Sequence, residues 1–102
     1  MPGRILQINF KFNVTRDEYE QAVSALARDF AALAGLRWKI WIMNEAEKEA
    51  GGYYMFEDAA SVKAFLEGPL AAGVTSHPAL SDFSVKQFDV MDDLSKTTRG
   101  PI

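Results

Sequence analysis

The sequence contains no cysteine in its 102 residues, and this absence removes several kinds of chemistry. Disulfide bonds, thiolate metal sites and a cysteine nucleophile are all excluded. Basic residues are not in surplus either, since 11 Lys and Arg stand against 14 Asp and Glu, for a net charge of −3. Neither nucleic acid nor an anionic membrane is therefore expected as a partner, because both attract basic surfaces.

Long apolar runs and targeting segments are also missing. No run approaches the roughly 18 apolar residues of a transmembrane helix. The opening stretch, MPGRILQINF, lacks the apolar core and the small-residue cleavage site of a signal peptide. There is one histidine, and no His, Asp and Glu cluster at metal-ligand spacing, so no metal or other cofactor is predicted. We expect a cytoplasmic protein with one domain over residues 1–102.

What is present begins with a strand and a well-marked helix. In RILQINFKF the apolar residues alternate with polar ones, which predicts a strand with one dry face. Thr15 and Glu18 have the spacing of a capping box, so a helix should begin there and end before Gly35. Its apolar stripe recurs every three or four residues, at Tyr19, Val23, Leu26, Phe30 and Leu33.

The rest of the chain predicts two strands, a helix and a last strand. Residues 36–44 and 52–57 should pair, with the glycine pair of EAEKEAGG forming the turn. A second helix should run from Asp58 to about Glu67, and Pro69 is able to open one further turn. In the final strand, DFSVKQFDVM, the apolar residues lie at odd positions up to Val85 and at even positions from Phe88 to Val90. This change of alternation predicts a β-bulge near Lys86–Gln87. The order βαββαβ predicts an α+β, ferredoxin-like fold with a four-stranded antiparallel sheet.

The central hairpin carries apolar side chains on both faces. Trp38, Ile40 and Ile42 share one face of the second strand, while Trp41 and Met43 share the opposite face with Lys39. Two helices cover only one face of a sheet, so the other face would form an unusually large apolar patch on a monomer. A homodimer that packs sheet against sheet is the simplest cover. The tail, residues 92–102, has no periodicity and is either extended or in contact with the partner.

Three segments resemble the YdhR-type monooxygenase family, namely LQINFKFN, GLRWKIWIMNEAEKEAGGYYMF and KQFDVMDDLS. The resemblance implies a dimeric α+β barrel, in which two ferredoxin-like sheets close around each other. Relatives in this superfamily oxidise phenols and quinols with dioxygen and without metal or flavin, and others degrade haem. The resemblance therefore implies a cofactor-independent monooxygenase whose small aromatic substrate binds between the helices and the sheet.

Such a site needs a dry pocket, aromatic walls and a group that anchors or deprotonates a phenol. The candidate catalytic residues are His77, Tyr54 and Asn9, and the candidate substrate-binding residues are Trp38, Trp41, Lys39 and Phe65. Strand parity does not place all of them in one cavity, because Lys39 and Trp41 share a face that Trp38 does not. Ordinary roles also fit them: core packing for the aromatic residues, a solvated strand position for Asn9, and an exposed loop position for His77.

Two other functions stay open from the sequence. The chain could be a non-catalytic dimeric domain that binds an apolar small molecule. It could also bind or degrade haem, with His77 as the iron ligand and with Asn9 and a tryptophan near the macrocycle.

Overall fold

The computed structural model describes residues 3–102, which form a sheet with helices packed on one face. The elements in chain order are β1 (Arg4–Phe12), α1 (Arg16–Ser24), α2 (Ala27–Ala31), β2 (Leu36–Asn44), β3 (Glu49–Phe56), α3 (Ala59–Leu66), α4 (Pro69–Thr75), β4 (Leu80–Asp89) and α5 (Asp92–Thr97). The strand order is β2-β3-β1-β4 and every pair is antiparallel. The predicted ferredoxin-like fold is thus confirmed.

The core lies between the sheet and the helices, on what we call the inner face. Alternate residues of β1 are buried there, and so are Tyr54 and Phe56 of β3. The helices add apolar side chains to this layer: Tyr19, Phe30, Val62, Phe65 and Ala71. No helix in the described part of the chain has the length and apolarity needed to cross a membrane.

The first helical region starts as predicted but is broken. Thr15 Oγ1 accepts a hydrogen bond from the Glu18 N–H at 3.1 Å, and the Glu18 carboxylate accepts one from the Thr15 N–H at 3.1 Å. The single helix predicted up to Gly35 is wrong, because α1 ends at Ser24. Ser24 Oγ donates to the Glu20 carbonyl at 2.6 Å, and the Leu26 N–H bonds to the carbonyl of Val23. Both bonds compete with the regular helical pattern.

The predicted turn and bulge are also misplaced. The glycine pair lies inside β3, and the turn falls on residues 45–48, with Lys48 at a φ of 52°. In β4 the pairing with β1 is continuous from Asp89 to Ser84, and the irregularity lies next to Asp82, whose φ is 54°. The change of alternation between Val85 and Phe88 therefore marks no bulge. Val85 pairs with inward-facing Ile8, whereas Phe88 lies on the opposite face of the sheet.

The face of the sheet away from the helices, the outer face, remains largely uncovered. Ile40 is 51% exposed, Tyr53 38% and Phe88 47%. The last residues of the chain reach this face, where Trp38 Nε1 donates a hydrogen bond to the Pro101 carbonyl at 2.7 Å. Both faces of the hairpin are thus apolar, as the sequence predicts.

Candidate functional site

A cavity of about 260 Å³ lies between the inner face and the first helical region. Its walls are mostly apolar and include Phe10, Val23, Leu26, Phe30, Trp41, Val74 and Leu80. Titratable side chains are few there: Glu18, Tyr19, Lys39, Tyr54 and His77. Ligand sites combine apolar walls with a few polar groups in this way, and their usual volume of about 300–1,000 Å³ is slightly larger. The cavity is therefore suited to a small aromatic molecule.

The Lys39 amine lies within an aromatic cage at this cavity. Its Nζ is 3.4 Å from the ring centroid of Phe30, 3.4 Å from that of Trp41 and 4.5 Å from that of Tyr54. Phe30 and Trp41 meet edge to face, with centroids 5.4 Å apart. Within residues 3–102, no carboxylate pairs with the Lys39 amine and no side-chain hydrogen bond satisfies it.

Burial lowers the pKa of Lys39 to about 7, since a desolvated ammonium loses its hydration. The surrounding rings attract the charged form by about 0.5–2 kcal/mol per cation–π contact. Because one pKa unit corresponds to about 1.4 kcal/mol, the three ring contacts oppose the effect of burial by an amount of the same order. Burial therefore favours the uncharged amine of Lys39, while the rings favour its ammonium form.

Gly52 makes room for this lysine. It lies on β3 opposite Trp41 of β2, and a Cβ added to it would approach Lys39 Cε to 2.9 Å. The methylene chain of Lys39 thus passes over a position without a side chain. Glycine inside a strand usually weakens the sheet, and it is found there where another group approaches closely. The contact with Lys39 is such an approach.

Two buried tyrosines, Tyr19 and Tyr54, line the cavity. Tyr54 is 3% exposed, and its ring lies 5.9 Å from Phe30 and 5.3 Å from Phe65. Burial raises the pKa of Tyr54 well above its usual range and raises the pKa of Tyr19 to about 12. Both phenols therefore remain protonated near neutral pH and are able to donate a hydrogen bond to a ligand oxygen.

His77 lies at the rim of the cavity and is exposed. Its Nδ1 accepts a hydrogen bond from the Ala79 N–H at 3.1 Å. Because Nδ1 accepts this bond, it carries no hydrogen, and the ring hydrogen lies on Nε2. In this arrangement the free side of the imidazole is a donor and not a base.

The structure brings together four of the seven residues proposed from the sequence. Lys39, Trp41, Tyr54 and His77 line the cavity, whereas Phe65 packs behind Tyr54 without lining it. Trp38 lies on the outer face with the tail. Asn9 also faces outward, because it alternates with buried Ile8 and Phe10. Its Nδ2 donates to Glu49 at 3.2 Å, and its buried Oδ1 has no protein partner among the described residues.

Phe30 and Tyr19 are among the cavity residues that the sequence does not mark as site residues. Both belong to the predicted apolar stripe of the first helix, and their spacing predicts only core packing. For Phe30, the feature that separates a cage from a core is the contact of its ring with Lys39 on β2, and the spacing of apolar residues in the helix does not reveal this contact.

Comparison with known proteins places the chain in one family. The model for the family described as "Putative mono-oxygenase ydhR" matches residues 5–101. No curated protein sequence matches the chain.

Solved structures share the fold at low sequence identity. The NE2512 protein of unknown function from Nitrosomonas europaea is 17% identical, with 89% of this chain and 91% of that chain covered and a TM-score of 0.75. SnoaB, a cofactor-independent oxygenase from Streptomyces nogalater, is 16% identical, with 90% and 96% covered and a TM-score of 0.73. The haem degrader MhuD from Mycobacterium tuberculosis is 18% identical, with 85% and 95% covered and a TM-score of 0.66.

Proposed function

The chain belongs to the ydhR family of mono-oxygenases, and from this premise we propose that it oxidises a small phenol or hydroquinone with dioxygen, without metal or organic cofactor. The observation that carries the proposal is the Lys39 amine, which is unpaired within the described chain and lies against a cavity walled by aromatic rings. The fold shared with SnoaB, itself described as a cofactor-independent oxygenase, supports it.

The first step is loss of the phenolic proton. A phenol that enters the cavity lies between apolar walls with its hydroxyl toward Lys39. The uncharged amine accepts the proton, which leaves an electron-rich phenolate beside an ammonium that the rings of Phe30 and Trp41 stabilise. Tyr54 and the rim residue His77 supply hydrogen-bond donors that orient the substrate oxygens. Phe65 holds the Tyr54 ring from behind, and Asn9 and Trp38 take no part.

The oxidation then needs no external electrons. The phenolate transfers one electron to dioxygen, and the resulting radical pair joins at a ring carbon that bears hydrogen, opposite the oxygen in a phenol and beside it in a hydroquinone. The peroxide takes up the proton held by Lys39 and becomes a hydroperoxide. Loss of water, made from the terminal peroxide oxygen, the proton it carries and the ring hydrogen, leaves a carbonyl. A phenol and dioxygen thus give a quinone and water, with all four electrons coming from the substrate.

The same proposal includes a homodimer. The uncovered outer face presents Ile40, Tyr53 and Phe88 to solvent in a chain whose inner face is already covered by helices. Contiguous apolar surface of this kind marks protein interfaces. A second copy packed face to face would cover it and leave the inner cavity accessible.

The test is oxygen consumption by metal-free protein with a panel of naphthols and hydroquinones. We expect uptake above the uncatalysed rate for at least one of them, with equal moles of quinone formed. Lys39→Met should lower kcat/KM by about 10²-fold or more, as loss of a general base does. Lys63→Met is the matched control, because this exposed lysine on α3 lies outside the cavity.

The outcome also separates the alternatives. No uptake above background across the panel, together with quenching of Trp41 fluorescence by the same compounds, would overturn the oxygenase and favour a non-catalytic small-molecule-binding domain. Full activity of Lys39→Met would retain the oxygenase but remove Lys39 as its base.

A further inference from the structure

The environment of Lys39 has a second chemical consequence, which does not depend on oxidation. We propose that Lys39 is a nucleophilic amine that captures small aromatic aldehydes in this cavity as an imine. Lysine forms Schiff bases in proteins where an apolar pocket keeps its amine uncharged. The Lys39 amine lines a cavity whose walls are mostly apolar, and no carboxylate of the described chain pairs with it.

The charges around the amine favour this reactivity. Of the titratable residues that share the cavity, Tyr19 and Tyr54 are uncharged phenols, and His77 at the rim offers a donor. Glu18 is the nearest source of negative charge among them, but its carboxylate is held by Thr15, at 3.1 Å from the backbone N–H and 2.9 Å from Oγ1. No carboxylate of the described chain therefore forms an ion pair that would stabilise the protonated form of Lys39.

The aldehyde class follows from the shape and polarity of the cavity. Its aromatic walls suit a planar ring, and its volume of about 260 Å³ limits the ligand to a small one. In the reaction the Nζ lone pair attacks the carbonyl carbon, and the two hydrogens of the amine leave with the carbonyl oxygen as water. No oxidant or reductant is consumed. The apolar surroundings favour the imine, since they disfavour the water needed to hydrolyse it.

The experiment uses benzaldehyde as the probe and sodium cyanoborohydride to reduce any imine to a stable benzylamine. The protein is treated briefly at pH 7.0 and the modified sites are located by peptide mass mapping. The five other lysines, at positions 11, 48, 63, 86 and 96, serve as internal references within the same molecule. We expect Lys39 to be benzylated at least about tenfold faster than their mean, because an ordinary lysine is almost fully protonated at this pH.

Two further arms make the result specific. 1-Naphthol, which has an aromatic ring but no carbonyl group, should slow the labelling of Lys39 and leave the reference lysines unchanged. In Lys39→Arg the labelling of the references should be as in the original protein, which checks that the fold is kept. Labelling of Lys39 no faster than that of the references, or no protection by 1-naphthol, would overturn the proposal. The labelling is carried out without dioxygen, so that 1-naphthol is not oxidised and the result stands apart from the fate of the oxygenase.

Discussion

At the scale of single residues, Lys39 links the site to the stability of the fold. An unfolded lysine keeps its proton up to about pH 10.4, whereas the folded protein releases the proton of Lys39 near pH 7. Between these values the unfolded state binds more protons. The free energy of unfolding must then rise with pH across this interval, and below pH 7 the contribution is constant and unfavourable.

The prediction compares the original protein with Lys39→Met. Urea midpoints at pH 6, 7.5 and 9 should rise with pH more steeply in the original protein, and Lys39→Met should be the more stable of the two at pH 6. The other titratable groups at the cavity, Glu18, Tyr19, Tyr54 and His77, are present in both proteins and cancel in the difference. Parallel profiles would mean that Lys39 is not desolvated in the fold.

Gly52 provides a second test at the same scale. A Cβ in Gly52→Ala would lie 2.9 Å from Lys39 Cε, and the flexible lysine is the partner that is able to move. We expect the amine to leave the cage and its pKa to rise toward the ordinary value of about 10.4. Nuclear magnetic resonance of carbon-13 labelled lysine follows this titration at Cε.

The matched control is Gly73→Ala on α4, which also borders the cavity but where an added Cβ meets nothing within 4 Å. This change should stabilise the protein by about 0.5–1 kcal/mol, because alanine favours a helix interior over glycine. It should leave the titration of Lys39 unchanged. An intact Gly52→Ala protein that retains the low pKa of Lys39 would contradict the role assigned to this glycine.

At the scale of elements, the capping box starts α1 and includes Glu18, a residue that lines the cavity. Thr15→Ala removes the acceptor of the Glu18 N–H and should lower the free energy of unfolding by about 1 kcal/mol. Chemical denaturation measures this loss. Thr97→Ala, near the end of α5, is the control and should change stability by less than about 0.5 kcal/mol. Equal effects of the two changes would show that the box does not stabilise the fold.

The sequence predicts an element correctly where the element depends on contacts between residues that are close in the chain. Thr15 and Glu18 are three residues apart, and both partners of their hydrogen bonds are visible in the sequence. The position of the hairpin turn was not predictable in this way, because Gly52 is explained by a lysine thirteen positions earlier that only the paired strands bring beside it. Likewise, alternation showed that Lys39 and Trp41 share a face, but it could not show that this face turns toward Phe30.

At the scale of the whole molecule, the remaining question is what covers the outer face. Ile40 is 51% exposed there, on the opposite side of β2 from Lys39. Light scattering at micromolar concentration should find a dimer for the original protein. Ile40→Asp would place a carboxylate in the proposed interface, and burying an unpaired charge costs several kcal/mol. We therefore expect its dimer dissociation constant to rise at least about 100-fold.

The control for this change is Lys63→Asp, which puts the same side chain on the exposed surface of α3 and should leave the dimer intact. A single-chain mass for the original protein, or a dimer unaffected by Ile40→Asp, would contradict the face-to-face pairing. Because the cavity opens on the inner face, the titration of Lys39 should be the same in monomeric Ile40→Asp as in the dimer. The hairpin would then carry two separate surfaces on opposite faces, one for a ligand and one for a second copy of the chain.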